Sequence, residues 1–149
     1  MPPRRLRLGM VGGGEGAFIG GVHRIAARLD DEFELVAGAL SSDPRRAQSS
    51  ALALRIPPER SYADFRTMAT AEAARADGIE LVAIVTPNHL HHAPARAFLD
   101  AGIDVICDKP LARTVEEGRD LVEAVTASGR VLVVKMLCVE IGRHDWLHF

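Results

Sequence analysis

Apolar and polar residues alternate in blocks along the chain, and each block has the length of one strand or one helix. Short apolar runs indicate buried strands. The run at residues 81–85 is uninterrupted, which is typical of strands covered on both faces. The pattern predicts about six strands, of which the third is the weakest, at residues 6–11, 33–40, 60–62, 81–85, 103–107 and 131–134.

Segments with helical spacing lie between these runs, and three of them begin with a capping signal. Asp43 is followed by proline at the first helical position, and Asp64 opens a second such segment. Thr114 and Glu117 have the spacing of a capping box. We therefore predict helices at residues 17–29, 43–54, 64–76, 91–101 and 114–128.

Strands that alternate with helices indicate an α/β protein with a doubly wound parallel sheet and helices on both faces. Ligands of such sheets bind beyond the carboxyl ends of the strands. The informative residues should therefore follow the strands, and glycines, hydroxyls or charged residues do so at Gly12, Ser41, Thr86 and Asp108. We expect one domain at residues 1–134 and a divergent tail at 135–149.

The loop after the first strand is rich in glycine and leads into a helix. Glycines allow a diphosphate to approach the backbone, and the helix offers free N–H groups and a positive dipole end. Gly12 and Gly14 match the start of a dinucleotide fingerprint, and Gly20 has the place of its helix-packing glycine after a short insertion. A flexible loop without a ligand is the alternative. The candidate cofactor-binding residues here are Gly12, Gly14, Gly16, Ala17, Phe18 and Ile19.

The loop after the second strand bears on the choice between NAD and NADP. NAD sites usually place an acid here, on the ribose 2′-hydroxyl. This chain has Ser41 and Ser42 instead, with Arg45 and Arg46 close behind, which slightly favours the 2′-phosphate of NADP. Asp43 could still reach a ribose, so both cofactors stay open. Ser41, Ser42 and Arg45 are the candidate binding residues of this loop.

Two further loops carry polar residues. After the strand at 81–85 we expect Thr86, Pro87, Asn88 and His91 to approach the cofactor; a metal site at the neighbouring histidines is the less favoured alternative, because no suitably spaced acid or cysteine accompanies them. The strand at 103–107 leads into Asp108, Lys109 and Pro110. A Lys–Pro bond can be cis and aim the lysine at the site, where its ammonium could polarise a substrate hydroxyl. A solvated turn is the alternative.

Composition restricts the function classes. The chain has 149 residues, 48% of them apolar, and a formal net charge of −2, which does not suit a nucleic-acid-binding protein. No apolar run is long enough to span a membrane and the start lacks a signal-peptide core, so we expect a cytoplasmic protein. The two cysteines form no disulfide pattern, and Cys107 lies in a strand, where a buried thiol is expected.

Taken together, these motifs resemble those of the Gfo/Idh/MocA oxidoreductases. The resemblance covers about residues 6–134 and rests on the glycine loop through His23, the loop from Thr86 to His89, and Asp108-Lys109-Pro110. The family usually has Glu-Lys-Pro at the last position. The resemblance implies a Rossmann domain that binds NAD or NADP, and it implies Lys109 as a catalytic residue that contacts the substrate oxygen.

The resemblance also implies a second, α/β domain that holds a sugar, inositol or related polyol and supplies much of an oligomer interface. After residue 134 this sequence departs from the family pattern, and we expect that domain to be absent. A shifted reading frame, a truncation or a short paralogue would each explain the tail. His144 and His148 could bind a metal on a helix, although an accidental spacing is favoured.

Two other function classes compete with a hydride-transferring oxidoreductase. A non-catalytic dinucleotide-binding module is favoured by the missing half but leaves Lys109 without a purpose. A methyltransferase that uses S-adenosylmethionine should have an acid after the second strand, where this chain has Ser41. We also expect a homo-oligomer, because loss of the second domain would leave apolar surface uncovered.

Overall fold

The computed structural model describes residues 4–135. Five strands alternate with five helices along this part of the chain. The strands are β1 (Leu6–Gly12), β2 (Phe33–Ala39), β3 (Leu81–Val85), β4 (Asp104–Asp108) and β5 (Leu132–Lys135). The helices are α1 (Phe18–Leu29), α2 (Pro44–Ala53), α3 (Phe65–Ala73), α4 (His92–Asp100) and α5 (Val115–Ser128).

All five strands pair in parallel and form one sheet in the order β2-β1-β3-β4-β5. The chain therefore winds outward from β1 to one edge, then crosses to β3 and continues to the other edge. Such a reversal next to β1 creates a crevice at the carboxyl ends of β1 and β3, where open α/β sheets bind their ligands. The predicted doubly wound parallel sheet is confirmed.

Apolar side chains cover both faces of the sheet. On one face, the buried core joins the strands to α3, α4 and α5, with Phe98 and Leu121 fully buried. On the other face, a smaller core joins β1, β2 and β3 to α1 and α2 through residues such as Met10 and Ala51. Cys107 lies in the larger core, and burial raises the pKa of its thiol to about 12, as expected for an inert cysteine.

On the face of the sheet that α1 and α2 pack against, the helices cover only part of the strands. Met10, Ala83, Ile106 and Val133 are register partners on neighbouring strands and form one row across this face. Met10 is 0% and Ala83 1% exposed, Ile106 is partly buried and Val133 is 49% exposed. Apolar surface of β4 and β5 is therefore open to solvent in the described part of the chain. The predicted homo-oligomer stays a prediction.

The weak strand predicted at residues 60–62 is not a strand of the sheet. Pro58–Arg60 form a single 3-10 turn, and only Ser61 makes an isolated parallel bridge, to Gly38 of β2. The preceding prolines cannot donate to a strand ladder, and the Arg60 side chain turns inward. It forms a buried ion pair with Glu72, which also accepts from the Tyr62 hydroxyl and the backbone N–H of Ile79. This network attaches the segment to α3.

The helix starts follow the predicted caps, with one difference. Asp43 and Asp64 each accept hydrogen bonds from two backbone N–H groups of the following turn. The Thr114 hydroxyl accepts from the N–H of Glu117, but the Glu117 carboxylate accepts from Arg113 instead of closing the capping box. One carboxylate oxygen accepts from the Arg113 guanidinium and the other from the Arg113 backbone N–H, so neither bonds to the N–H of Thr114.

Glu80 ties the amino-terminal ends of β1 and β3 together, and we predict a pH-dependent contribution to stability. It accepts from the Arg4 guanidinium and from the backbone N–H of Arg7, and mainly the bond from Arg4 lowers the pKa of Glu80 to about 2. A lowered folded-state pKa stabilises the fold above the ordinary value of 4.5, and this stabilisation is lost as the pH falls towards 2.

Glu80→Gln should therefore lower the free energy of unfolding by about 1 kcal/mol at neutral pH, a value that allows for solvent screening. The difference in the free energy of unfolding between the wild type and Glu80→Gln should shrink as the pH of the measurement falls from 4.5 towards 2. Glu59→Gln is the control, since Glu59 is exposed and makes no side-chain bond within residues 4–135. If Glu80→Gln lowered the free energy of unfolding by the same amount at neutral and at acid pH, this role of Glu80 would be contradicted.

Candidate functional site

The glycine loop between β1 and α1 packs so closely against its surroundings that two positions cannot carry a side chain: Gly20, which contacts the loop from α1, and Gly14 within the loop. A Cβ atom built on Gly20 would lie 2.4 Å from Cα of Gly13 and 2.6 Å from its carbonyl oxygen. Gly20 lies in the first turn of α1, so the bare backbone there lets the helix approach the loop. The predicted role of Gly20 as the helix-packing glycine is confirmed.

Gly14 is needed for a reason different from the one expected. It is buried, and a Cβ atom would lie 2.8 Å from both the Leu40 carbonyl oxygen and the Ser50 hydroxyl. Its N–H donates to that same Leu40 carbonyl, at the end of β2. The loop is thus seated on β2 and α2, and a side chain at Gly14 would push it away from them before it met any ligand.

Two polar side chains outside the loop hold it in place. The Ser50 hydroxyl on α2 accepts from the N–H of Glu15 at 2.8 Å. The Arg24 guanidinium on α1 donates to the Gly13 carbonyl oxygen at 2.6 Å. Sequence reasoning missed both residues, because each is an ordinary polar residue inside a helix and only the fold brings it to the loop.

The start of α1 has free hydrogen-bond donors. Ala17 precedes the helix and provides no side-chain cap, whereas side chains cap α2, α3 and α5. Within residues 4–135, the first-turn N–H groups of Phe18 and Ile19 have no hydrogen-bond partner. Uncapped N–H groups and the positive end of a 12-residue helix form a site for an anion such as a diphosphate.

Two clefts flank this site on the side of β2. The larger has a volume of 760 Å³ and mostly apolar walls from α2 and residues 55–63, with Ser41 and Ser42 at its rim. The smaller, of 610 Å³, lies between the glycine loop and the start of α2 and is lined by Glu15, Gly16, Asp43, Arg45, Arg46 and Ser49. An apolar cleft beside a polar one suits an adenine ring and the phosphate or ribose attached to it.

The loop after β3 touches the glycine loop. A Cβ atom on Gly12, whose φ is +78°, would lie 3.0 Å from the Thr86 methyl group and 3.2 Å from its backbone nitrogen. Thr86 is partly buried, whereas Pro87 and Asn88 are exposed beside it. These three residues therefore stand where β1 and β3 end, next to the free N–H groups of α1.

The loop after β4 places Lys109 at the same edge of the sheet. The Lys109–Pro110 peptide bond is cis, as the sequence suggested was possible. Lys109 is exposed, and its ammonium makes no hydrogen bond or ion pair with the described residues. Asp108, just before it, is the last residue of β4 and pairs in register with Lys135. The lysine is thus free to bond to an incoming oxygen atom.

His91 does not occupy the position expected of a cofactor ligand. It is 1% exposed, and its two ring nitrogens lie against the carbonyl oxygens of Thr86 and Pro110. A side chain engaged in this way cannot also reach a ligand at the surface. The assignment of His91 to direct cofactor binding is therefore corrected: it lies beneath the site.

His23, which closes the motif of the glycine loop, is a second buried histidine. It lies on α1, 7% exposed, and its Nε2 atom has no partner among the described residues. Burial, followed by the charge of Lys135, lowers its pKa, while Asp108 acts in the opposite direction. Its ring is therefore harder to protonate than a free imidazole.

The predictions about metal sites and membrane spans can be compared with the same part of the chain. Residues 4–135 hold no group of three histidine, cysteine or acidic side chains placed to bind a metal ion. His92, from the histidine-rich loop, instead pairs with Asp120 on α5. His144 and His148 lie outside the described residues. No described helix has both the length and the apolar character needed to cross a membrane.

Comparison with known proteins identifies the family. Residues 6–136 match the model of the Gfo/Idh/MocA family, described as an oxidoreductase family with an NAD-binding Rossmann fold. The chain belongs to the Gfo/Idh/MocA oxidoreductase family. The five-stranded sheet is therefore the Rossmann sheet of that family, and the glycine loop, the Thr86 loop and Asp108-Lys109-Pro110 follow the order that the resemblance implied.

Three relatives illustrate the match. An uncharacterised oxidoreductase of Bacillus subtilis is 42% identical over 87% of this chain and 33% of its own length. The levoglucosan dehydrogenase of Pseudarthrobacter phenanthrenivorans is 36% identical over 82% of this chain and 30% of its own. A structure of an inositol dehydrogenase homologue from Azotobacter vinelandii with NAD⁺ is 46% identical, has a TM-score of 0.85, and matches 88% of this chain and 34% of that one.

This Gfo/Idh/MocA chain spans about a third of the length of the relatives that it matches. The four groups of predicted site residues follow β1, β2, β3 and β4, which are neighbours in the sheet. Because the strands are parallel, these groups meet at one edge. Apart from His91, the candidate residues lie in those four loops, on the turn of α1 or on the turn of α2 that adjoins them.

Proposed function

We propose that this chain is the dinucleotide-binding part of an oxidoreductase that transfers a hydride between NAD(H) and the hydroxyl-bearing carbon of a sugar, inositol or related polyol. One observation carries the proposal: α1 begins without a cap at the point where Gly13 and Gly20 bring loop and helix into contact. The residues present fit a dinucleotide diphosphate, because they offer free N–H groups, a helix dipole and no obstructing side chains.

The other groups of the site support the same orientation of the ligand. The apolar cleft beside Ser41 and Ser42 accepts the adenosine, and the diphosphate lies on the start of α1. The loops that begin at Thr86 and Asp108 then flank the nicotinamide. When bound, the nicotinamide supplies the hydride acceptor or donor. The relatives named for levoglucosan and inositol support a cyclic polyol as the substrate class.

Lys109 is the catalytic residue of this proposal. Its exposed ammonium has no partner among the described residues, and Lys109 directly follows the carboxyl end of β4. There it would donate a hydrogen bond to the substrate oxygen and stabilise the negative charge that develops while a base or solvent takes the hydroxyl proton and the hydride passes from the carbon to NAD⁺. Within residues 4–135 no acidic side chain is bound to it that would need to be displaced first.

The direct test is a titration of the 149-residue protein with NADH, in which fluorescence reports the binding. Saturable binding that ADP-ribose competes for is expected, since ADP-ribose contains every part that the glycine loop and the two clefts contact. Adenosine alone should compete far more weakly, because it lacks the diphosphate. Absence of saturable NADH binding by the folded protein would sink the proposal.

Cofactor choice depends on the first turn of α2, and we propose that NAD(H) is preferred. Asp43 uses Oδ1 to cap α2, and its Oδ2 has no partner among the described residues and is available to a ribose hydroxyl. The NAD⁺ and NADH complexes of the Azotobacter vinelandii homologue support this choice. Arg45 and Arg46 line the same cleft, and together with Ser41 and Ser42 they were the reason that the sequence slightly favoured NADP.

Asp43→Asn should shift selectivity towards NADPH about three- to tenfold, as expected for one exposed charge next to a phosphate. Asparagine caps helices as well as aspartate does, so α2 should keep its stability. Arg46→Ala is the converse variant and should weaken NADPH binding more than NADH binding. Fluorescence titrations with both cofactors measure the ratio. A wild-type preference of tenfold or more for NADPH would overturn the assignment.

A further inference from the structure

His91 connects two loops of the site from below. Its Nε2 atom lies 2.8 Å from the carbonyl oxygen of Thr86, and its Nδ1 atom lies 2.7 Å from the carbonyl oxygen of Pro110. Thr86 follows β3 and Pro110 follows β4, so the ring spans the gap between two neighbouring strand ends. The side chain is 1% exposed, and water therefore does not compete for either contact.

The chemistry of these two contacts is restrictive. A carbonyl oxygen only accepts hydrogen bonds, so a ring nitrogen that bonds to one must donate. Which ring nitrogen donates depends on the tautomer, and in either tautomer the ring lies against one carbonyl oxygen of each loop. The buried ring therefore fills the space between the two loops and bonds within it.

The ring completes a chain of contacts that runs from the glycine loop to Lys109. At one end, Thr86 packs against Gly12, where there is no room for a side chain. At the other end, Asp108 is fixed by its pairing in β4, and Pro110 is fixed by His91. Lys109 therefore stands between two anchored neighbours, and the second anchor depends on His91.

We propose that His91 is a positioning residue whose buried ring lies against a carbonyl oxygen of each loop and thereby fixes Lys109 relative to the glycine loop. The loop after β3 has internal hydrogen bonds of its own, from the Thr86 hydroxyl to the Leu90 carbonyl and from the N–H of Leu90 to the Pro87 carbonyl. These bonds shape that loop but do not reach Pro110. Among the described side chains, His91 makes the hydrogen bonds that join the two loops.

The role of Lys109 belongs to the proposed function, and this inference rests on it in that respect. The connection between the loops does not, and it can be measured without any ligand, from the backbone amide NMR signals of the two loops in the wild type and in His91→Gln.

Binding provides the second measurement. His91→Gln keeps a donor but cannot bridge the two carbonyls, so NADH affinity should fall at least fivefold. His92→Gln is the matched control, because His92 is the next residue, is more exposed and bonds to Asp120 instead. It should bind NADH as the wild type does. Equal affinities of His91→Gln and wild type would contradict the positioning role.

The amide signals of the two loops report the mechanism if His91→Gln is less stable. In that variant the amides of Lys109 and of Asn88 should both shift, while those of α5 stay in place. Shifts confined to the Asn88 side would show that Pro110 is held by something else and would overturn the inference. If the amides of both loops shift in His91→Gln but the wild type does not bind NADH, the proposed function fails and the connection between the loops stands.

Discussion

The purified 149-residue protein should bind a dinucleotide and yet oxidise no sugar, inositol or sugar acid at a useful rate. Hydride transfer needs the substrate carbon held against the nicotinamide, and orientation alone can account for about 7–11 kcal/mol of a barrier. Lys109 is one exposed side chain on an open sheet edge. It can bond to an oxygen atom, but it cannot enclose a polyol or exclude water.

In the assay, the protein is incubated with each of a panel of sugars, inositols and sugar acids and with NAD⁺ or NADP⁺. The absorbance of the reduced cofactor reports turnover. Lys109→Ala is the matched control, because an exposed side chain can be shortened without loss of stability. No activity is expected in either protein. Robust turnover by the wild type that Lys109→Ala abolishes would show that these residues form a complete enzyme. Such a result would also exclude the non-catalytic module considered from the sequence.

Gly20→Ala should weaken NADH binding well over tenfold and destabilise the fold by about 1–3 kcal/mol, the usual effect of overpacking. The added methyl group would lie 2.4 Å from Cα of Gly13, and both positions are backbone, so neither can rotate away. The loop and the start of α1 must move apart, and the free N–H groups then no longer converge on the diphosphate.

Gly21→Ala is the matched control for this variant. Gly21 is the next residue of α1, and its added Cβ atom would meet only the end of the Arg24 side chain, at 3.9 Å. This change should stabilise the helix by about 0.5–1 kcal/mol and leave NADH binding unchanged. Titration with NADH and thermal unfolding distinguish the two variants. If Gly20→Ala and Gly21→Ala behaved alike, the close contact with Gly13 would not be what shapes the site.

Local signals in the sequence were sufficient for most of the fold. The apolar run at Leu81–Val85 marks the central β3, and the caps at Asp43 and Asp64 mark helix starts, because each depends on neighbouring residues only. The pattern wrongly predicted a strand around Arg60. The conformation there depends on Glu72, which lies 12 residues away and becomes a partner only in the folded chain.

The site was predicted at the level of loops, whereas the contacts between loops were not. Ser50 and Glu15 are 35 residues apart, and nothing in either neighbourhood indicates that they meet. His91 shows the same limit, since a histidine in a polar loop gives no sign of whether its ring faces outward or inward. Its direction is decided by the Pro110 carbonyl, which belongs to another strand end.

The order of the strands has a consequence for synthesis. β1 is made first, and Leu6 pairs with Phe33 of β2 soon afterwards, but Leu8 also pairs with Leu81 of β3, 73 residues later. At about 5–20 residues per second, a ribosome needs roughly 4–15 s to supply that second partner. During this delay one edge of β1 has no strand beside it. β1, an interior strand of the finished sheet, therefore has one unpaired edge for several seconds, during which it can pair wrongly.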